Sequence, residues 1–130
     1  MIIGCGIDLV NINRIKKIII KWDSRFLKKI YTKQEINYCE KKKGNRFHSY
    51  AGLFAAKEAW VKAIGTGFRN IKWKEIEVKN NNLGKPELYL SKRLIKKFKM
   101  KEIHSTHLSI SHTEKLAIAL VILETLIIYK

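Results

Sequence analysis

The stretch GLFAAKEAWVKAIGTG at positions 52–67 constrains the fold more than any other part of the chain. Its apolar residues Leu53, Ala56, Trp60, Ala63 and Ile64 recur at steps of three and four, the period of an amphipathic helix. Phe54, Glu58, Lys62 and Gly65 follow the same step, so a carboxylate and an ammonium share one face. On a solvated helix that pairing is an ordinary i,i+4 ion pair. The Gly65-Thr66-Gly67 turn reads as a glycine C-cap, or as a place where backbone can approach a ligand closely. It is not a P-loop, because the glycine-to-lysine spacing is absent and the turn follows a helix.

With 130 residues, 46% of them apolar, the chain reads as one domain over 1–130 with enough material for a core. Its single proline, Pro86, belongs to no linker-like stretch. Net charge is +16, from 27 Lys and Arg against 11 Asp and Glu, which concentrates anionic partners around the chain. Nucleic acid, an anionic membrane, a phosphorylated cofactor and an acidic protein all satisfy that charge. Cys5 and Cys39 lack metal-ligand spacing and read as free thiols of a reducing compartment. The first ten residues are too short for a signal segment and include Asp8, and the terminal apolar run 116–129 is interrupted by Glu124 and shorter than a bilayer span. The expected location is cytoplasmic.

The pattern predicts a buried strand over 2–10, with Asp8 near its end, then helices over 12–22 and 24–30, the second capped by Ser24. Thr32 followed by Glu35 is a capping box for a helix to about residue 42. The long helix ends near 64. Strands are predicted over 73–79 and 88–90 around the turn 80–86, then a basic helix over 91–100 with Leu94, Ile95 and Phe98 inward. A hairpin of 107–112 and 116–123 closes the chain. Helices grouped rather than alternating with strands make this an α+β fold with an antiparallel sheet.

Asp8 and Glu58 are acidic groups set in apolar sequence, so each needs a cationic partner, a lysine or a metal. Two carboxylates completed by water and phosphate oxygens are a usual way to hold Mg²⁺. His112, between Ser111 and Thr113, is either surface filler or part of a small polar pocket.

Four motifs in register carry a resemblance: the Gly-Ile-Asp strand, the Phe-Ala-Ala-Lys-Glu-Ala helix ending Gly-Thr-Gly, the Asn-x-x-Gly-Lys-Pro turn and the Ser-Ile-Ser-His-Thr strand. From residue 3 to about 124 the chain resembles the holo-[acyl-carrier-protein] synthase family, the bacterial-type 4'-phosphopantetheinyl transferases. The resemblance implies an α+β subunit with a long central helix, a homotrimer and active sites at subunit interfaces. It also implies Mg²⁺-dependent transfer of phosphopantetheine from coenzyme A to a serine of apo-acyl carrier protein, which serves fatty acid biosynthesis and releases adenosine 3',5'-bisphosphate. On the same basis Asp8 and Glu58 hold the metal, and Glu58 and Lys62 act at the reacting phosphates. Lys62, Gly65, Thr66, Gly67, Asn82, Gly84, Lys85 and Pro86 contact coenzyme A, as do His112 and Thr113 from the neighbouring subunit. One position departs: the family has arginine where this chain has Leu53, and Arg46 or Lys57 is then a candidate to replace its contact.

Phosphoryl transfer is catalysed by alignment and charge stabilisation, which suits two carboxylates, a metal and a lysine. The segment 11–29 suits an acidic carrier protein. It offers Arg14, Lys17, Lys21, Arg25 and Lys29 around Ile18, Trp22 and Phe26, although an ordinary basic helix with a buried stripe has the same composition. A nucleic-acid-binding domain also accounts for the charge and aromatics, but it leaves Asp8 and Glu58 unused and shows no recognised binding motif. A membrane-surface role lacks a lipidation signal or a separate basic tail. The expected partners are therefore coenzyme A, carrier protein and two further copies of the chain, with neither nucleic acid nor membrane.

Overall fold

Alternation along the first ten residues sets the first strand. In β1 (Ile2–Asn11) the residues Gly4, Gly6, Asp8 and Val10 face inward, while Ile7 and Leu9 stay 55% and 61% exposed on the other side. The computed structural model describes residues 1–98 and 103–126. Beyond β1 the elements are α1 (Ile12–Trp22), α2 (Ser24–Ile30), α3 (Lys33–Glu40), α4 (Arg46–Ile64), β2 (Ile76–Asn80), β3 (Pro86–Leu90), α5 (Lys92–Phe98), β4 (Ile103–His112) and β5 (Leu116–Thr125). Strands β1, β5 and β4 form an antiparallel sheet in that order, and β2–β3 is a separate hairpin. The fold is α+β, with α4 packed against β1 and β5.

The two inward glycines of β1 set how close α4 lies. A Cβ on Gly6 would stand 1.8 Å from the Ala59 carbonyl oxygen, and one on Gly4 would stand 2.3 Å from that of Ala63. Strand backbone therefore rests directly on helix backbone, with Ala59 and Ala63 completing the contact.

Several expectations shift. Helix α4 is not amphipathic in the simple sense: from Tyr50 to Ile64 every residue is buried except Phe54, Glu58 and Lys62. Sheet, hairpin and neighbouring helices enclose it, and one seam at four-residue spacing stays open. Lys57 falls on the buried side and donates to the Ile30 carbonyl, Glu35 and the Trp73 carbonyl at 2.7, 2.7 and 3.2 Å. Glu35 closes the expected capping box with Thr32 and also accepts from the Val78 amide, so one buried ion pair ties α3, α4 and β2 together. Ser24 is the first helical residue rather than the cap; Asp23, with φ 45°, breaks α1 from α2 and makes no side-chain cap bond. The strand predicted over 73–79 starts at Ile76 after a 3₁₀ turn, and β4 begins four residues before the predicted 107. In α5, Leu94 and Phe98 are buried but Ile95 is 55% exposed, because so short a helix buries only its i,i+4 pair. The last two residues of the helix predicted over 91–100 lie outside the described residues, as do residues 127–129 of the terminal apolar run. No described helix is long and apolar enough to cross a membrane. Both cysteines are free thiols.

Candidate active site

Strand alternation turns Asp8 toward α4, two residues beyond the Gly6 contact, and the open seam of α4 presents Glu58 and Lys62 to it. Asp8, Glu58 and Lys62 line one cleft of about 590 Å³ together with Phe54, Arg14 and Ile18. The i,i+4 pair suggested by the helix period does not form. Lys62 instead donates to Asp8 Oδ1 at 3.0 Å and to the Ile7 carbonyl at 3.1 Å. Glu58 has no hydrogen bond or ion pair among the described residues. Burial, and after it the charge of Asp8, push its carboxyl above the ordinary carboxylate value, and Lys62 offsets part of that shift. The cleft thus holds two carboxylates, the Lys62 ammonium and the Arg14 guanidinium, and Glu58 makes no direct ion pair among the described residues.

That donor set bears on metal binding. Among the described residues no third Asp, Glu, His or Cys joins the pair. Ions that need three or four protein donors are poorly served. A hard cation that keeps water and takes phosphate oxygens fits, and Mg²⁺ is such an ion.

The remaining predicted site residues lie elsewhere. Gly84 and Pro86 line a small cleft with Asn80, Gly52, Leu53, Ile110, His48 and His112, and Thr113 lines an adjoining one that shares His48 and His112. Neither cleft includes Asp8, Glu58 or Lys62, so the subunit carries two separate groups of candidate residues. Asn82 and Lys85 are exposed on the loop; the asparagine that shapes it is Asn81, whose side chain accepts from the amides of Leu83 and Lys85. Gly84 takes φ 85° there. Thr113 Oγ1 accepts from the Lys115 and Leu116 amides and so forms the β4–β5 turn. Gly65 and Gly67 adopt φ 85° and 64° just past Lys62, and Gly65 caps α4. Thr66 donates to the Gly67 carbonyl.

Of the proposed docking residues, Arg14, Lys21, Trp22, Arg25 and Lys29 are exposed and Ile18 is half-buried at the cleft. Phe26 is not an exposed anchor. It packs edge-on to Tyr31 and stacks on Phe54, in a row that continues to Trp73 and Phe68. Its place in a seven-residue helix over the hairpin turns it inward. Neither candidate replacement for an arginine at position 53 is free: Lys57 is buried with three partners, and Arg46 pairs with Glu40 and lies over Phe47. Sequence reasoning also missed His48, which stands against His112 at 5.4 Å between ring centroids.

Residues 4–121 match the family model of the 4'-phosphopantetheinyl transferase superfamily. Holo-[acyl-carrier-protein] synthase of Halothermothrix orenii is 50% identical over 122 residues, covering 94% of this chain and 97% of that protein. Among solved structures, the holo-[acyl-carrier-protein] synthase of Neisseria meningitidis superposes with a TM-score of 0.88 at 34% identity, covering 96% of this chain and 100% of that one. The holo-(acyl-carrier-protein) synthase of Bacillus anthracis, solved in complex with CoA (3',5'-ADP), gives 0.80 at 42% identity, covering 96% and 98%.

Proposed function

The chain belongs to the 4'-phosphopantetheinyl transferase superfamily and is an enzyme of the holo-[acyl-carrier-protein] synthase kind, and from that premise we propose how its residues act. It moves 4'-phosphopantetheine from coenzyme A to a serine hydroxyl of apo-acyl carrier protein, in the cytoplasm and in the service of fatty acid biosynthesis. The observation that carries this reading is the meeting of Asp8 and Glu58, from β1 and α4, with Lys62 in a cleft that also holds Arg14 and Ile18 of α1.

Asp8 and Glu58 would hold Mg²⁺, which supplies positive charge against the pyrophosphate and the departing nucleotide. The serine oxygen bonds to the phosphorus carrying the pantetheine arm as the bond to adenosine 3',5'-bisphosphate breaks, and the hydroxyl proton is released to water. Lys62, held by hydrogen bonds to Asp8 and the Ile7 carbonyl, adds positive charge beside the phosphate oxygens. Arg14, Lys21, Arg25 and Lys29, with Trp22 and Ile18, form the basic and apolar surface that steers the acidic carrier protein to the cleft.

The two groups of site residues also support a homotrimer. The sheet face away from α4 carries Ile3, Ile7, Leu9 and Leu116, all exposed, in register with Ile118 and Leu120 of β5. Such a face is typical of a subunit interface. Across it the cleft of one subunit would meet Gly84, Lys85, Pro86, His112 and Thr113 of the next, with the Gly65–Gly67 turn, Asn82 and Thr66 at the rim. The test is the mass of apo-carrier protein incubated with coenzyme A, Mg²⁺ and this protein. A gain of one phosphopantetheine that disappears on chelation is expected, and no gain with several carrier proteins refutes the assignment.

A further inference from the structure

Strands β3 and β4 pack against each other but belong to different sheets, so among the described residues no hydrogen-bond ladder closes the space between them. Helix α5, which follows β3, covers that space only in part. Its i,i+4 pair Leu94 and Phe98 is buried, while Ile95 stays 55% exposed. The result is a cleft of about 420 Å³ walled by Leu88, Leu90, Ile95, Phe98 and Ile103, with the exposed Tyr89 at its rim. That volume lies within the range of small-ligand pockets. None of its lining residues belongs to the Asp8–Glu58 cleft or to the clefts around His112.

Two features specify an occupant. The five wall residues offer no side-chain donor or acceptor, so polar atoms on the body of a ligand would go unpaired there, whereas a hydrocarbon body loses nothing. The second feature is positive charge at the mouth. Of the four cations of α5, Arg93 is engaged with Glu75 and the Asn70 carbonyl, and Lys97 with the Arg69 and Asn70 carbonyls. Lys92 and Lys96 have no partner among the described residues and, one helical turn apart, flank Ile95 on the exposed side of α5. His104 and Thr106 on the β4 wall add an imidazole and a hydroxyl whose side chains are likewise unpartnered there. No acidic residue lines the cleft.

We propose that this cleft binds a long-chain carboxylate, with the alkyl chain between β3, α5 and β4 and the head group at Lys92, Lys96 and His104. The chain takes Ile95 and Tyr89 out of water, and the carboxylate accepts charge-assisted hydrogen bonds from the mouth. The binding is independent of the transferase reading. On that reading, such an acid is what hydrolysis of a carrier-bound acyl thioester releases.

Calorimetric titration of the full chain with sodium octanoate, decanoate and dodecanoate, each below its micelle-forming concentration, tests this. Each added methylene is expected to tighten binding about fourfold. Decan-1-ol, which lacks the charge, should bind at least about tenfold more weakly than decanoate. Ile95→Glu sets a carboxylate at the mouth on an exposed side chain and should weaken dodecanoate at least about tenfold. Lys92→Gln combined with Lys96→Gln should weaken decanoate about tenfold and leave decan-1-ol within about twofold, a split that lost packing would not produce. No saturable binding of dodecanoate, an affinity that stays flat with chain length, or an Ile95→Glu protein that binds like wild type each overturns the proposal. All three leave the transferase reading intact, because modification of carrier protein is measured separately.

Discussion

Gly6→Ala tests whether the backbone contact between β1 and α4 sets the geometry of the site. The added Cβ would stand 1.8 Å from the Ala59 carbonyl oxygen, 2.7 Å from the Ala63 amide nitrogen and 2.9 Å from the Ala59 carbonyl carbon. All three are helix backbone, so no side chain can swing aside. Restoring ordinary contact near 3.4 Å requires α4 and β1 to separate by about 1.6 Å. A gap of that size removes most of the dispersion attraction across the interface. The expected loss is at least about 4 kcal/mol, above the usual range for overpacking because backbone has to move. In urea that lowers the midpoint by about 2 M. Gly4→Ala, at 2.3 Å from one oxygen, should lose about 2–3 kcal/mol, and Gly44→Ala, with nothing within 4 Å, should lose none. The same separation carries Glu58 away from Asp8, so folded Gly4→Ala should need more Mg²⁺ for half-maximal activity. A Gly6→Ala protein within about 1 kcal/mol of wild type would refute the argument.

Three further outcomes follow from named contacts. Because burial and Asp8 raise the Glu58 carboxyl above its unfolded value, ionising it costs stability as pH rises through the raised value. Without metal, Glu58→Gln should therefore melt above wild type at neutral pH and equal it at acid pH, while losing Mg²⁺-dependent turnover; scanning calorimetry across pH reads both. Lys57→Ala leaves the Glu35 carboxylate buried without its cation and should destabilise by about 3–5 kcal/mol, measured by denaturant unfolding. Arg14→Glu should raise KM for carrier protein about tenfold or more, and added salt should narrow the difference.

Much of the fold was legible in the sequence because period and caps are local properties. The strand over residues 2–10, the Thr32–Glu35 box and the step of four through Phe54, Glu58 and Lys62 each survive in the structure, but the strand expected to be buried leaves Ile3, Ile7 and Leu9 exposed on one face. What the sequence hid depends on long-range approach. The partner of Lys62 is Asp8, 54 residues away, and no helix rule reports it. Lys57 was within reach: it stands four residues after Leu53 and three before Trp60, on the apolar stripe, and its burial follows from that position. Phe26 and Ile95 were misplaced because short helices bury too few positions for a period to show which. His48 has no pattern around it in Arg-Phe-His-Ser-Tyr, and only the β4–β5 turn brings His112 and the Glu114 carbonyl to it.

The separation of the two residue groups within one subunit has a genetic consequence. In the proposed trimer each site draws Glu58 from one chain and His112 from another, so a chain defective in one still carries an intact copy of the other half. Two alleles, one Glu58→Gln and one His112→Ala, are each inactive alone, yet random mixing of their products rebuilds about a quarter of the sites in full. Co-expression should recover activity that neither parent shows, and a chain with both changes should rescue nothing. Recessive lesions in this gene would then fall into two complementing groups, and the boundary between them would map which face of the subunit each residue serves.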